Sequence, residues 1–397
     1  MSKAKEKTAP VRRCAVGGQA VMEGVMMKSE VGIAMAVRRP DGSIVKSYKK
    51  YRSKAQKGTF WGLPVVRGVV AFVESLKTGM DTTTKSAELL GDAFDEEPSK
   101  FEKWLADKLH IDIMEVATGI AVVLGVALAV GLFVFLPQFV AQLIFGKAAS
   151  AAADKFYIWR SLLEGGLRLV IYVGYLFAVS GIKDIRRLFM YHGAEHKTIA
   201  CYEAGEDELT PENAKKYKRL HPRCGTNYLF LVMAISIIVL TLVDIVMHSL
   251  GFPSEGMSKA AAFLIRFGVR LICLPLIAGI SYEVLRGAAK TDNWFTKIVR
   301  APGMALQLIT TREPDESMLE VAIYAFYLAM GEKNPLEEAK LRAEAEEKAR
   351  REAEEKARAE AEQAENIGEN ADICEENEAP TEEFVEIPER KPEETAE

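Results

Sequence analysis

Four long apolar blocks interrupt an otherwise mixed sequence, and they predict most of the fold. The blocks lie at residues 116–145, 161–182, 228–247 and 260–285. A helix needs about 20 apolar residues to cross a hydrocarbon core about 30 Å thick, and every block meets that length. The pattern therefore predicts an α-helical membrane protein with four transmembrane helices, two within residues 111–182 and two within residues 226–286.

Shorter apolar runs precede the blocks and have the spacing of strands. Residues 31–38 and 43–48 flank the turn signal PDG, which predicts a β-hairpin. Just upstream, residues 17–27 read GGQAVMEGVMM and contain three glycines. Glycine permits close backbone approach. This segment therefore predicts either a tightly packed turn beside the hairpin or a functional role for Gln19 or Glu23.

Residues 60–80 form a helical pattern of mixed character. Apolar residues recur at helical spacing after Pro64, but Arg67 interrupts the run well before it could span a bilayer. We expect this helix to lie on the membrane or to pack against other helices, with Trp61 at the headgroup level. Residues 81–110 predict a polar helical connector.

Beyond the last block the pattern changes twice. Residues 287–333 alternate basic, apolar and turn residues and include an amphipathic helix at 315–330. Residues 334–366 pair Glu with Lys or Arg four positions apart, which predicts a single charged helix. They lack the apolar seam that a coiled coil requires. Residues 367–397 are acidic and poor in aromatic residues, so we expect a disordered tail.

The distribution of charge predicts the orientation of the chain. The net charge is −5, but residues 368–397 alone carry −10, so the remaining residues carry +5. The loop at 183–224 holds nine Lys and Arg, against three at 146–160. The positive-inside rule then places this loop and both termini in the cytoplasm. Residues 1–13 form a basic tail without an apolar run, so we expect it to be flexible and not a cleavable signal.

The polar segments predict a domain outside the membrane. Residues 14–110 and 287–333 are expected to pack together as one mixed α/β cytoplasmic domain, next to a His/Cys-rich loop at 183–225. The chain has only five scattered cysteines, most of them in segments assigned to the cytoplasm or facing it. The expected state is therefore the free thiol.

The richest chemistry lies between residues 192 and 224, which contain three of the five histidines and two of the five cysteines. On a helix, His192 and His196 would share one face one turn apart. Glu195 completes the order H-x-x-E-H, the inverted zinc-hydrolase pattern in which a carboxylate activates metal-bound water. A catalytic ion needs a third protein ligand and an open position. The candidates for the third ligand are His221, Cys224, Cys201 and Glu203.

The same residues have a structural interpretation. Histidines near the end of a membrane helix can hydrogen-bond neighbouring carbonyl groups or contact lipid headgroups. Glu195 can form a surface ion pair with Lys197 or Arg187. The residue pattern leaves both interpretations open.

Charged residues also occur inside the predicted spans, where each is costly and is usually paired or faces a polar cavity. They are Glu164, Arg168, Asp244, Arg266 and Arg270. Their common depth favours ion pairs between helices or snorkelling to the outer interface. A transport pathway is the alternative.

Four motifs in order, GGQAVMEGVMM, HGAEHKTIACYE, HPRCGTN and PGMALQLITTREPD, resemble the YqhQ-like bacterial membrane proteins, a family built on a domain of unknown function. The resemblance covers residues 12–332 and leaves out the charged helix and the tail. It implies a multi-pass protein of the bacterial inner (plasma) membrane. The family is described as predicted metal-dependent enzymes. The motif residues that bear on this are His192, Glu195, His196, His221 and Cys224.

Two functions follow as hypotheses. The first is a hydrolase in which His192 and His196, with His221 or Cys224, hold a divalent metal, expected to be zinc, and Glu195 acts as the general base. Its substrate would be lipid-linked or a membrane-proximal peptide. Inverted zinc hydrolases draw a glutamate ligand from a later helix, and this loop shows no counterpart.

The second hypothesis is a non-enzymatic accessory of membrane machinery. In it the cytoplasmic domain and the charged helix dock a membrane-protein or ribosome/translocon partner, and the His/Cys site is structural. A basic cytoplasmic face suits ribosomal RNA or the headgroups of membrane lipids. No DNA partner is predicted.

Overall fold

The computed structural model describes residues 16–55, 58–91, 113–145, 153–206, 208–252, 257–291 and 293–375. The predicted basic tail and most of the connector after residue 91 lie outside the described residues. The chain divides into two units, Met1–Asn334 and Pro335–Glu397.

A four-stranded antiparallel sheet opens the described chain, and its strands follow one another in sequence order. The strands are β1 (Gly17–Val21), β2 (Gly24–Lys28), β3 (Gly32–Arg38) and β4 (Ile44–Lys50). The predicted hairpin is confirmed as the antiparallel pair β3–β4. The glycine-rich segment is itself a second hairpin, β1–β2, rather than only a turn. Strand β2 buries residues of both faces, so it lacks the alternation by which a half-exposed strand is recognised.

Helix α1 (Val66–Leu90) follows a short 3₁₀ turn and continues past the predicted end of the helix at residue 80. Of the two predicted placements, the structure shows packing against another helix. Arg67 forms an ion pair with Glu283 of the fourth apolar helix, and Gly68 lies directly against the backbone of Gly279. Leu90 at the other end joins the core of the sheet.

The four predicted spans are present as helices long and apolar enough to cross a membrane. They are α2 (Ile113–Val130), continued through a π-helical turn (Gly131–Phe135) into α3 (Leu136–Phe145), then α4 (Ala153–Val179), α7 (Gly225–Ser249) and α8 (Lys259–Lys290). Most of their apolar side chains are exposed, so an aqueous surround would be unfavourable. Lipid is the surround that such helices fit.

The remaining helices of this unit lie between and after the spans. They are α5 (Lys183–Glu203), α6 (Pro211–Lys215), α9 (Trp294–Thr310) and α10 (Glu316–Met330). Helix α10 is the most buried of them and packs on β2, β3 and α5. Asp315 caps its start, because its side chain accepts a hydrogen bond from the N–H of Met318. The segments before the first span and after the last one therefore meet around α5.

The second unit contains one described element, helix α11 (Pro335–Glu375). Ion pairs one turn apart, such as Arg351 with Glu347, support it as the sequence predicts. The helix is described as far as Glu375, beyond the predicted end at 366. The rest of the predicted disordered tail lies outside the described residues.

Candidate metal centre

Helix α5 carries an unusually polar buried stretch. Glu195, His196, Lys197 and Thr198 are each at most 4% exposed. Burying such groups is costly unless each finds a partner or serves a purpose. The contacts of this stretch therefore define the candidate site.

Three side chains converge in the way a metal site requires. The potential ligand atoms of His192, His196 and Cys224 all lie within 4.8 Å of one another. Cys224 comes from the N-cap of α7, where its sulfur accepts a hydrogen bond from the N–H of Thr226. The third apolar helix therefore begins at this site, which lies where that helix emerges from its apolar span.

The two imidazoles are oriented by backbone carbonyl groups. His192 Nδ1 lies 2.8 Å from the carbonyl oxygen of Thr310, and His196 Nδ1 lies 2.5 Å from that of Arg219. A carbonyl oxygen only accepts, so each Nδ1 carries a proton, and in a neutral ring the lone pair is then on Nε2. His192 Nε2 lies 3.2 Å from the Cys224 sulfur.

His196 Nε2 is buried and makes no hydrogen bond of normal geometry within the described chain. Burial lowers the pKa of His196, so the neutral ring is favoured. A neutral imidazole with Nδ1 bound to a carbonyl and Nε2 free is the arrangement that metal-ligating histidines adopt.

His221 was predicted as a ligand, but it lies outside the group of three. Its ring is next to His196, with 5.6 Å between ring centroids, yet its Nε2 lies 3.7 Å from a carboxylate oxygen of Glu203. Burial alone raises the pKa of Glu203, but hydrogen bonds from His221 and Arg223 outweigh it and hold that pKa at about 2. His221, which the sequence predicted as a metal ligand, therefore pairs with the carboxylate of Glu203 at the end of α5.

Of the four candidates for the third ligand, the structure brings only Cys224 into the group. Glu203 is engaged by Arg223 and His221. Cys201 is fully buried, and burial raises the pKa of its thiol to about 12. A neutral buried thiol is a poor metal ligand.

Glu195 is the most unusual carboxyl group of the site. It is 4% exposed, it accepts a hydrogen bond from the backbone N–H of Gly18, and its Oε2 has no partner within the described chain. Burial raises the pKa of Glu195 to about 7. Gly18 is required here, because a Cβ at this position would lie 3.0 Å from the carboxyl group and 2.4 Å from the carbonyl oxygen of Met26.

The alternative in which Glu195 forms a surface ion pair is wrong, because both proposed partners are engaged elsewhere. Lys197 donates to the carbonyl oxygen of Lys215 at 2.8 Å and pairs with Glu313. Arg187 binds the carboxylate of Glu23.

Glu23 therefore has a clear structural contact. It sits in the β1–β2 turn with a φ of 51°, and besides Arg187 it accepts a hydrogen bond from the hydroxyl of Tyr191 at 3.2 Å. This arrangement fastens the glycine-rich hairpin to α5. Gln19 of the same hairpin lines a cavity next to His192 and Cys224.

A cavity of about 1040 Å³ opens beside two of the three donors, His192 and Cys224. His192, Glu195 and Cys224 form part of its wall, and the glycine-rich strand β1 forms another part. Apolar residues of α1, α5 and the start of α7 also line it, and they include Phe72, Leu76, Leu188, Phe189 and Leu229. The cavity thus combines polar groups with an apolar surface.

Three supporting residues were not predicted. Gln307 exchanges two hydrogen bonds with the main chain of His221, Asn227 donates to the carbonyl oxygen of Pro222 at 2.7 Å, and Arg219 donates to that of Thr311. They hold the loop that carries Cys224. The available signal was their position inside the motifs HPRCGTN and PGMALQLITTREPD or next to them.

Comparisons with known proteins agree with these motifs. Residues 63–332 match the family model described as "Protein of unknown function (DUF1385)". The "Uncharacterized protein YqhQ" of Bacillus subtilis (strain 168) is 32% identical over 320 residues, which covers 79% of this chain and 91% of that protein. No solved structure matches the chain. The chain therefore belongs to the DUF1385 family of YqhQ-like proteins.

Proposed function

We propose that this chain is a metal-dependent hydrolase at the cytoplasmic face of the bacterial inner membrane. His192, His196 and Cys224 hold one divalent ion, and Glu195 is the general base. One observation carries the proposal. Both imidazoles are anchored through Nδ1 and direct Nε2 at a shared point with the Cys224 sulfur.

The donor set favours zinc. Two imidazole nitrogens and one thiolate are typical zinc ligands, and three is the number of protein ligands that a catalytic zinc site would have. An open position distinguishes catalytic sites from closed structural ones. When bound, the ion supplies a Lewis acid that polarises a carbonyl or phosphoryl oxygen of the substrate.

The protein groups have separate roles in this proposal. Glu195 faces the same cavity as His192 and Cys224, and its free Oε2 is available to take a proton from an attacking water and pass it to the leaving group. The carbonyl oxygens of Thr310 and Arg219 hold the imidazoles in place. The apolar wall beside the start of α7 supports a lipid-linked substrate or a membrane-proximal peptide.

A second candidate function rests on a different observation. The bonds that support the three donors join α5, α9 and the loop before α7, so an ion there would also staple these elements together. In this alternative the protein is a non-enzymatic accessory, and the exposed charged helix α11 serves a membrane-protein or ribosome/translocon partner. The two candidates differ in what removing the ion does to the fold.

The test is the metal content of the full chain, purified in detergent without chelators. We expect about one zinc per chain, and none in His192→Ala or His196→Ala, because each variant removes one of three ligands. His248→Ala is the matched control, since His248 is exposed at the far end of α7.

Thermal unfolding of the same samples separates the two candidates. Variants that lose zinc but unfold at an unchanged temperature support a catalytic ion, whereas variants that lose zinc together with the fold support the staple. Protein that holds no metal as purified, and binds none when zinc is added back, refutes both roles of the ion.

The orientation is part of the proposal and has its own test. The excess of Lys and Arg in the loop at 183–224 supports a cytoplasmic location for the metal centre. Single cysteines introduced at residue 5 and at residue 149, in a chain that keeps its buried Cys201 and Cys224 and has its other cysteines replaced, should react oppositely with a membrane-impermeant maleimide in intact cells. We expect labelling only at residue 149, and labelling at residue 5 would contradict the orientation.

A further inference from the structure

A second polar cluster lies within the apolar helices, at the end opposite to the metal centre. Arg160, Glu164 and Arg168 come from α4, Asp244 from α7 and Arg270 from α8. The span in α4 begins at Ile158 and reaches Arg168 after ten residues. The span in α8 begins at Ala260 and reaches Arg270 after ten residues. Ten helical residues are about 15 Å long at 1.5 Å per residue. These charges therefore extend from the membrane surface to about its middle.

The carboxylates are outnumbered in this cluster. Glu164, 4% exposed, lies 3.2 Å from Arg160, 3.5 Å from Arg168 and 3.3 Å from Arg270. Asp244 lies 3.4 Å from Arg270 and accepts a hydrogen bond from Ser161. Three guanidinium groups thus share two carboxylates, which leaves one positive charge uncompensated among the described residues. Arg266, one turn before Arg270, adds a second cation.

Arg168 finds part of its compensation in the backbone. Pro137 has no N–H, so it cannot bond the carbonyl four residues earlier, which belongs to Phe133. Arg168 Nε donates to that oxygen at 3.1 Å. The π-helical turn in the first span and the proline after it thus supply a neutral acceptor, which leaves the excess charge in place.

Arg160, the outermost member, has unused donors. Its Nε binds Glu164, and its two terminal nitrogens make no hydrogen bond within the described chain. Arg160 lines a cavity of about 610 Å³ between the first, second and fourth spans. The amide side chains of Gln138 and Gln142 line the same cavity, and the remainder of its wall is largely aromatic, including Phe139 and Phe263.

We propose that this cavity binds the phosphate of an anionic lipid from the leaflet opposite to the metal centre. The two terminal nitrogens of Arg160, which bind no described residue, match two phosphate oxygens, and the glutamine amides add donors. The phosphate compensates the excess positive charge, which is costly at this depth. The aromatic wall takes the acyl chains. This site does not depend on the proposed hydrolase, only on the four apolar helices crossing a bilayer.

Native mass spectrometry of the full chain in detergent tests the proposal. The probes are phosphatidylglycerol and phosphatidylcholine with identical acyl chains. We expect one bound phosphatidylglycerol at about tenfold lower lipid concentration than phosphatidylcholine, the equivalent of one charge-assisted hydrogen bond. Arg160→Gln should remove this preference and leave phosphatidylcholine binding unchanged.

Matched variants exclude simpler explanations. Arg186→Gln removes an exposed guanidinium from α5, on the side of the metal centre, and should bind lipid as the unchanged chain does. Gln142→Leu keeps every charge of the cluster, so it serves if Arg160→Gln does not fold, and it should weaken phosphatidylglycerol binding about threefold.

Three results would overturn the site. They are equal binding of the two lipids, an equal loss in Arg186→Gln, and displacement of the lipid by excess inorganic phosphate, which would identify a soluble anion as the ligand. Zinc content should be unchanged in all these variants, so failure here leaves the proposed function untouched.

Discussion

Gln307 and His221 exchange two hydrogen bonds of 2.8 Å each, although they lie 86 residues apart. The side-chain oxygen of Gln307 accepts from the N–H of His221, and its amide nitrogen donates to the His221 carbonyl oxygen and to Asn227. Gln307 therefore completes the hydrogen bonding of a loop that has no regular secondary structure. That loop carries Arg219 and Cys224, so α9 indirectly positions the candidate metal centre.

Gln307→Leu should destabilise the protein and weaken zinc binding together. The change leaves the N–H of His221 buried and unpaired, at a cost of about 1–3 kcal/mol, and its carbonyl oxygen keeps only the 3.4 Å bond from the N–H of Cys224. Thermal unfolding and zinc titration measure the two effects. Lys218→Ala changes an exposed residue of the same loop and should alter neither quantity. Unchanged stability in Gln307→Leu would contradict this role.

Gly193→Ala should disturb the candidate metal centre through the backbone around Arg312. A Cβ at this position would lie 2.0 Å from the carbonyl oxygen of Arg312, and a backbone atom cannot move aside alone. The segment from Thr310 to Arg312 must then shift, and the carbonyl group of Thr310, which orients His192, shifts with it. We expect a lower unfolding temperature and weaker zinc binding. Gly174→Ala is the control, because a Cβ there meets nothing within 4 Å.

The pKa of Glu203 predicts an acid sensitivity. Burial raises this pKa, but the bonds from His221 and Arg223 bring it to about 2, below the ordinary value of 4.5. The ionised carboxylate therefore stabilises the fold above about pH 4.5, and that contribution is lost as the pH falls from there towards 2.

Unfolding temperatures measured between pH 7 and about pH 3 test this sign. The unchanged chain should lose stability more steeply on acidification than Glu203→Gln, in which the titrating group is absent. Glu208→Gln alters an exposed carboxylate close by and should follow the unchanged chain. Parallel curves for Glu203→Gln and the unchanged chain would show that the pair with Arg223 contributes no stability.

Local features of the chain were predictable because their causes lie within a few residues. The length of each apolar block determines a membrane-length helix, and PDG between two strand patterns determines the β3–β4 hairpin. The pairing of His192 with His196 also follows from helix geometry alone. Strand β2 escaped prediction because helices cover both faces of its sheet, and a strand buried on both faces has no alternation.

The third residue of the candidate metal centre could not be chosen by such reasoning. His221, Cys224, Cys201 and Glu203 all lie close to the two histidines in sequence, and the choice among them depends on which side chain the start of α7 and the end of α5 direct inward. Glu203 pairs with His221, so Cys224 and not His221 lies with His192 and His196. The supporting carbonyl of Thr310 comes from 118 residues beyond His192.

By itself, then, the sequence predicted the four apolar helices, a charged helix at 334–366 that the structure extends to Glu375, and the residues of the candidate metal centre. Only the tertiary structure decided which donors meet, which carbonyl groups orient them, and that Glu195 is buried beside Gly18 rather than paired at the surface. The physical reason is the distance along the chain over which each kind of interaction acts. Hydrophobic period and helical spacing act between near neighbours, whereas the site is assembled by contacts between segments that only the packed fold brings together.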